Sequence, residues 1–159
     1  MPAIRGEVIH ASAVALDGRG VVILGAPGAG KSSLAMVLMA LGAGLVADDR
    51  LRLETRDGEL FAAPLGGAAT GAAGQARQGG LIEARGAGLI PVPPVGRVPV
   101  ALAVDLDRTE TARLPPIRHT QLLGHHVPLV LGPPGLHLAS AICLILRYGR
   151  IDPERDFCE

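Results

Sequence analysis

Residues 25–32 have the sequence GAPGAGKS, which matches the pattern G-x-x-x-x-G-K-[ST] at every fixed position. In this pattern the glycines let the backbone curl so that its N–H groups point at phosphate oxygens, while the lysine reaches the β- and γ-phosphates and the hydroxyl ligates Mg²⁺. An apolar run at 21–24 predicts a buried strand before the loop, and residues 33–41 predict a helix after it, whose N-terminus favours a bound anion. The chain is therefore predicted to bind a nucleotide at a strand, loop and helix.

Composition limits the classes of partner and compartment. Lys31 is the only lysine among 15 basic residues, which balance 15 acidic ones. The arginines are scattered and aromatic residues make up 2% of the chain, so no basic stripe or stacking platform indicates a nucleic-acid or membrane surface. Cys143 and Cys158 are too few for a disulfide framework, and no apolar run has the length of a signal peptide or a membrane span. We expect a cytoplasmic protein that forms one domain over residues 1–159.

Turn residues and hydrophobic periodicity predict an α/β fold with a mixed β-sheet and packed helices. The predicted elements are hairpins at 8–16 with 21–24 and at 51–55 with 59–62, a short buried strand at 45–47, a core strand at 98–106, a bent pair of edge strands within 121–131, and a helix at 136–148 that ends before Gly149. Residues 64–80 are dominated by Gly, Ala, Gln and Thr and predict a mobile loop.

Asp48 and Asp49 follow the predicted strand at 45–47, one helix and one strand after the loop lysine. In a parallel sheet this places both carboxylates beside the phosphate loop. Consecutive residues at a strand end point to opposite sides, so one carboxylate could accept a hydroxyl proton during phosphoryl transfer while the other orients water, metal or backbone. A solvated turn after the strand is the alternative interpretation.

The histidines and the remaining charged candidates carry little information by themselves. A lone histidine such as His10 is more often structural than catalytic, and Glu83 with Arg85 could be a surface ion pair. The other histidines have no spacing typical of metal ligands, so we interpret them as structural or surface residues; they are His119, His125, His126 and His137.

In combination, however, four segments resemble the catalytic domain of the HPr kinase/phosphorylase family, and they occur in the family's order. They are Ile9-His10-Ala11-Ser12, the loop from Gly25 to Ser33, Leu45-Val46-Ala47-Asp48-Asp49-Arg50, and Ile82-Glu83-Ala84-Arg85-Gly86-Ala87-Gly88-Leu89-Ile90. The family pattern has a histidine before the loop, V-A-D-D after the helix and E-x-R-G-x-G-I-I further on. The resemblance covers most of residues 9–113 and implies a single P-loop kinase domain of the HPr kinase/PEP carboxykinase-like type.

The resemblance also implies roles for individual residues. ATP phosphates would be bound by Gly25, Ala26, Pro27, Gly28, Ala29, Gly30, Lys31, Ser32 and Ser33. Ser32 and Glu83 would hold Mg²⁺, and Asp49 would be the general base with Asp48 beside it. The reacting centre would be lined by His10 and Arg85, with Arg113 as a further catalytic arginine. The acceptor implied is a serine of HPr, a small phosphocarrier protein of a phosphotransferase system, and the assembly implied is a homohexamer.

Several positions depart from the family pattern. The usual Asp-Ser of the loop is Ala26-Pro27, and the acidic residue after the loop serine is Ser33. The chain starts almost at the catalytic domain, as in the short forms of alphaproteobacteria. An arginine-containing P-V-R-P-G-R segment, linked to dephosphorylation, corresponds to residues 131–136, which hold no arginine. We therefore expect an ATP- and Mg²⁺-dependent serine kinase with weak reverse activity; a small-molecule kinase and a nucleotide-sensing module without turnover are the alternatives.

Overall fold

The computed structural model describes residues 4–65, 80–93 and 95–157. Most of the predicted mobile loop at 64–80, namely residues 66–79, lies outside the described residues. The strands are β1 (Arg5–Ile9), β2 (Ser12–Leu16), β3 (Arg19–Leu24), β4 (Gly44–Ala47), β5 (Leu51–Arg56), β6 (Glu59–Ala63), β7 (Gly80–Ala84), β8 (Gly88–Val92), β9 (Val98–Thr109), β10 (Arg118–Leu122) and β11 (His125–Gly132). The helices are α1 (Lys31–Ala40), α2 (Leu136–Tyr148) and α3 (Pro153–Asp156).

Nine of the described strands form one mixed sheet, which confirms the predicted α/β class. The path β1-β5-β6-β9-β3-β2-β4 is antiparallel except for β3 and β9, which run parallel. The long strand β9 also pairs in parallel with β11, and β7 with β8 forms a separate hairpin. Both predicted hairpins are present, as β2 with β3 and as β5 with β6.

The central strands bury both of their faces, since adjacent side chains enter different apolar clusters. On one face, Val21 and Ile23 of β3 pack with residues of α1 and α2, including Leu34 and Ile142. On the other face, Val22 packs in a cluster with residues of β5, β6 and β11. The strand that leads into the phosphate loop is therefore fixed from two sides.

The strand pair predicted within 121–131 differs from the observed one. β10 pairs with one strand and lies at the edge of the sheet, whereas β11 pairs with both β10 and β9. The prediction of two edge strands was wrong because β11 also pairs in parallel with β9, which is not its neighbour in the chain. Such a pairing leaves no local sequence signal. No helix in the described part of the chain is long and apolar enough to cross a membrane.

Candidate active site

A cleft of about 460 Å³ opens where β3 leads into α1. It is lined by Pro27, Gly28, Gly30, Lys31, Ser32, Ser33, Met36, Asp48, Asp49, Glu83 and Arg85. The phosphate-loop motif, the aspartate pair and the E-x-R motif, three segments separate in the sequence, thus contribute to one cavity.

The phosphate loop has a backbone that requires glycine at particular positions. Gly28 and Gly30 have φ of 84° and 102°, in the left-handed region that side chains rarely adopt. A Cβ built on Gly25 would lie 2.9 Å from the Cβ of Ala29, so the tight curl of the loop leaves no room there. α1 begins directly after Gly30, at Lys31, and its first N–H groups face the loop.

Lys31 is almost buried, with 8% of its surface exposed. Its Nζ donates to the carbonyl oxygens of Gly25, at 2.7 Å, and of Ala26, at 3.1 Å. Among the described residues, no carboxylate forms an ion pair with this ammonium group. A buried cation held only by carbonyl dipoles has strong affinity for an anion, because burial of an uncompensated charge is costly.

Asp48 is fixed by hydroxyl groups from two other elements. The Ser12 Oγ donates to Asp48 Oδ1 at 2.7 Å, and the Ser32 Oγ donates to the same oxygen at 2.8 Å. Ser12 is fully buried, so its hydrogen bond is shielded from water. Asp48 thereby orients the hydroxyl that follows the loop lysine.

Asp49 differs from Asp48 in both backbone and contacts. Its φ is 70°, which Asp and Asn tolerate better than most residues. Its N–H donates to the Ser12 Oγ at 3.3 Å. Its carboxylate accepts none of the hydrogen bonds found in the described part of the chain and lines the cleft. The two neighbouring aspartates therefore have different environments: one is bound to protein hydroxyls and the other is exposed to the cavity.

Strand β7 and the residue after it also contribute to the lining of the cleft. Its side chains alternate, with Ile82 and Ala84 buried and Glu83 exposed, and the next exposed residue on the same side is Arg85. Ile82 packs in the cluster that contains α1 residues, which fixes the hairpin against the helix after the loop. This alternation brings Glu83 and Arg85 to the cleft together.

Two predicted catalytic residues do not line the cleft. His10 is exposed and lies between Ile9, which pairs with Leu51, and the Ser12 that contacts Asp48. Arg113 is exposed in the segment between β9 and β10. Gly25, Ala26 and Ala29, predicted to bind phosphate, form the base of the loop and are likewise absent from the lining.

The segment that carries Arg113 is fixed at both of its ends. The Glu110 N–H donates to the Gly132 carbonyl at 2.8 Å, and Arg118 Nε donates to Glu110 Oε2 at 2.7 Å. The Arg118 guanidinium, with the N–H of Ala112, lowers the pKa of Glu110 to about 2. Glu110 is therefore ionised at neutral pH and keeps its bond to Arg118.

Two of the histidines that we interpreted as structural or surface residues lie close to polar side chains. His125 Nε2 lies 2.9 Å from Thr55 Oγ1, and His126 lies 3.4 Å from the Gln121 amide. Within residues 4–65, 80–93 and 95–157, no group of three or more His, Cys, Asp or Glu side chains could hold a metal. A magnesium ion in the cleft would thus need phosphate oxygens and water as further ligands, which is its usual coordination in nucleotide sites.

Sequence reasoning missed two residues that contact the loop or the aspartate pair. Ser12 lies in a segment that resembles the family but was not predicted to have a role in the site, and it contacts both Asp48 and Asp49. Asp107, near the end of β9, accepts the N–H of Ala26 with both carboxylate oxygens, at 3.0 and 3.1 Å. The available signal for Asp107 was the pattern D-L-D at the end of an apolar strand, the same type of signal that indicated Asp48 and Asp49.

Comparison with known proteins identifies the family. The model of the HPr serine kinase C-terminal domain matches residues 4–95, which is more than half of the chain. A solved structure, the Hpr(Ser) kinase/phosphatase from Coxiella burnetii, superposes with a TM-score of 0.67 and 28% sequence identity, over 89% of this chain and 88% of that one. No protein with a curated function matches the sequence significantly. The fold is thus that of a P-loop-containing kinase, and the chain belongs to the HPr serine kinase C-terminal domain family.

Proposed function

We propose that this protein is an ATP- and Mg²⁺-dependent protein serine kinase that phosphorylates an HPr-type phosphocarrier protein and so regulates a phosphotransferase system. The observation that carries the proposal is the composition of the cleft. It is lined by a buried lysine, a loop serine and two aspartates that differ in their hydrogen bonds. Membership of the HPr kinase family and the similarity to the Coxiella burnetii enzyme support the choice of acceptor.

The nucleotide end of the cleft has the chemistry that a triphosphate needs. Lys31 offers a cation whose protein partners are carbonyl oxygens, so phosphate oxygens can replace them at a gain in electrostatic energy. The N–H groups at the start of α1 add a positive dipole. We assign phosphate binding to the loop residues 25–33, with the cleft-lining residues of the loop in direct contact and Gly25, Ala26 and Ala29 supporting its shape.

The residues that would hold Mg²⁺ are Ser32 and Glu83, both on the lining of the cleft. The Ser32 hydroxyl donates a hydrogen bond to Asp48, so its oxygen lone pairs are free to face a cation. When bound, the ion would neutralise charge on the transferring phosphoryl group. Asp48 would keep the hydroxyl in this orientation.

The acceptor end would be served by Asp49. Its carboxylate lines the cleft without a hydrogen bond from the described residues, so it can accept the proton of a serine hydroxyl. Arg85 lies on the same lining, and His10 lies close to Ser12 at the edge of the site. We assign to His10, Arg85 and Arg113 contacts with the reacting groups when the acceptor is bound; for His10 and Arg113 this requires the carrier to dock, since neither lines the cleft.

The direct test uses labelled ATP, Mg²⁺ and each HPr-type carrier of the source organism. We expect one carrier to become labelled on serine, and its Ser→Ala variant to stay unlabelled. Labelling of a small molecule instead would favour a small-molecule kinase, and binding of ATP without transfer to any carrier would favour a sensing module.

Size measurement of the purified protein tests the homohexamer that the family suggests, and fractionation of cells tests the cytoplasmic location.

We expect the forward reaction to be faster than dephosphorylation. Residues 131–136 lack the arginine that a phosphoserine and inorganic phosphate would need, because two anions in one site require cationic donors. This segment lies beside the phosphate loop, since a Cβ on Gly30 would be 3.4 Å from Pro134. Incubating the phosphorylated carrier with phosphate and following pyrophosphate release gives the reverse rate, and a reverse rate equal to the forward rate would contradict the prediction.

Two variants test whether the missing arginine in residues 131–136 causes the slow reverse reaction. Leu136 is 66% exposed at the start of α2, so Leu136→Arg should be tolerated and should raise the reverse rate relative to the forward rate. Leu144→Arg, on the same helix and 55% exposed, is the matched control and should leave the ratio unchanged. Equal effects of the two variants would remove the segment at 131–136 from the explanation.

A further inference from the structure

The peptide group between Gly25 and Ala26 is held at both of its ends. Its N–H donates to the Asp107 carboxylate at 3.0 and 3.1 Å, and its carbonyl oxygen accepts from Lys31 Nζ at 2.7 Å. A trans peptide points its N–H and C=O in opposite directions, so one rotation of this group would break both contacts. The carboxylate and the ammonium group are thus connected through a single polarised peptide.

Asp107 is itself held in place by its own strand. Its N–H donates to Asp105 Oδ1 at 2.9 Å, and Asp105 pairs in register with Leu24, the last residue of β3. β9 and β3 are parallel neighbours, so the end of β9 and the start of the phosphate loop lie side by side. The position of Asp107 relative to the loop is therefore set by the sheet.

The negative charge of a carboxylate beside an anion-binding loop repels the phosphates of a nucleotide. Such a carboxylate favours binding only if it also orients a group that contacts the phosphates. Asp107 is exposed and could remain solvated, yet both of its oxygens contact one loop N–H. That N–H is then occupied by protein and points away from the side of the peptide that faces Lys31. A contact of this kind orients the peptide at the expense of one phosphate-binding donor.

We propose that Asp107 is a positioning residue for phosphoryl transfer: through the Gly25–Ala26 peptide it holds Lys31 ready for the β- and γ-phosphates. The inference rests on the proposed kinase function and deepens it. Without the carboxylate, the peptide is free to rotate, and Lys31 loses the shorter of the two carbonyl contacts that hold its ammonium group before the nucleotide arrives. Part of the binding energy is then spent on ordering the lysine, which weakens ATP binding.

The single lysine makes a direct test possible. With lysine labelled by ¹³C at Cε, the protein gives one lysine side-chain NMR signal, from Lys31. We expect Asp107→Ala to move this signal towards the position of free lysine and to weaken ATP binding by roughly 10-fold, the loss typical of one hydrogen bond to a charged group. Asp107→Asn keeps an acceptor for the Ala26 N–H without the charge and should lie between the wild type and Asp107→Ala in both measurements.

Asp17→Asn is the matched control, because it removes the same charge at the opposite end of β3, in the exposed turn before that strand. It should leave both the lysine signal and ATP binding unchanged. A lysine signal that is the same in Asp107→Ala and the wild type would overturn the proposal, as would an equal shift in Asp17→Asn. If Asp107→Ala does not fold, the same criteria apply to Asp107→Asn, whose side chain has nearly the same shape.

The lysine signal is read without nucleotide or carrier, so the two hypotheses fail differently. An unlabelled carrier together with a shifted lysine signal would refute the kinase function and keep the role of Asp107 in positioning Lys31. A labelled carrier together with an unshifted lysine signal would do the reverse.

Discussion

Replacement of Lys31 by Ala is expected to abolish phosphoryl transfer and to weaken ATP binding by roughly 10²-fold or more, since hydrogen bonds to charged groups contribute about 1.5–3 kcal/mol each and this side chain can form more than one with the phosphates. The chain has no second lysine that could take its place. Calorimetric titration with ATP gives the affinity, and a transfer assay with the carrier gives the rate.

Lys31→Arg should fail as well. The ammonium group of Lys31 lies within 3.1 Å of two carbonyl oxygens in a nearly buried position, a space shaped for a compact charge. The guanidinium is planar and larger, and it does not replace an ammonium group in such a site. Lys31→Met keeps most of the apolar stem and serves as the control for packing, so it should fold like the wild type and still be inactive. Near wild-type turnover in any of these variants would refute the assignment of residues 25–32 as a phosphate loop.

The parts of the fold that could be predicted are those whose signals are local. The phosphate loop lies within eight consecutive residues, and glycines at positive φ are an intrinsic requirement of its curl. α2 was predicted with its observed bounds because a largely apolar run is followed by Gly149, whose φ is 80°. The strand before Asp48 was predicted for the same reason, as a short apolar run between turn residues.

The missed contacts depend on pairing between distant segments. Ser12 contacts Asp48 across 36 positions, and Asp107 contacts Ala26 across 81 positions. Both contacts follow from which strands lie next to each other, and the sequence of one strand does not specify its neighbour. The interior position of β11, parallel to β9, escaped prediction for the same physical reason.

The aspartate pair combines a feature that the local sequence predicts with contacts that depend on distant segments. The spacing of the residues predicted both carboxylates beside the loop without deciding which of them is the base, and only the family resemblance implied Asp49. Their hydrogen bonds distinguish the two residues, because Asp48 accepts hydrogen bonds from two hydroxyl groups, at 2.7 and 2.8 Å, while the Asp49 carboxylate lines the cleft. Ser12, the residue whose position could not be predicted, supplies one of these two hydrogen bonds. The difference favours Asp49 as the base.

Asp49→Asn is accordingly expected to lower phosphoryl transfer by roughly 10²-fold or more while ATP binding stays close to wild type, because it deletes the proton acceptor and keeps the shape of the side chain. The substitution suits the backbone, since Asn tolerates the φ of 70° at this position as Asp does. Single-turnover measurements with the carrier give the chemical step, and an ATP titration gives the affinity.

Asp48→Asn is the comparison that decides the assignment. An amide oxygen can still accept from the hydroxyls of Ser12 and Ser32, but its charge is lost beside the Ser32 oxygen proposed to bind Mg²⁺. We expect this variant to need a higher Mg²⁺ concentration for half-maximal activity and to recover part of its rate when Mg²⁺ is raised. Asp49→Asn should gain nothing from added Mg²⁺, because the step that it lacks is proton transfer. A larger loss in Asp48→Asn with an unchanged Mg²⁺ requirement would reverse the two roles and make Asp48 the base.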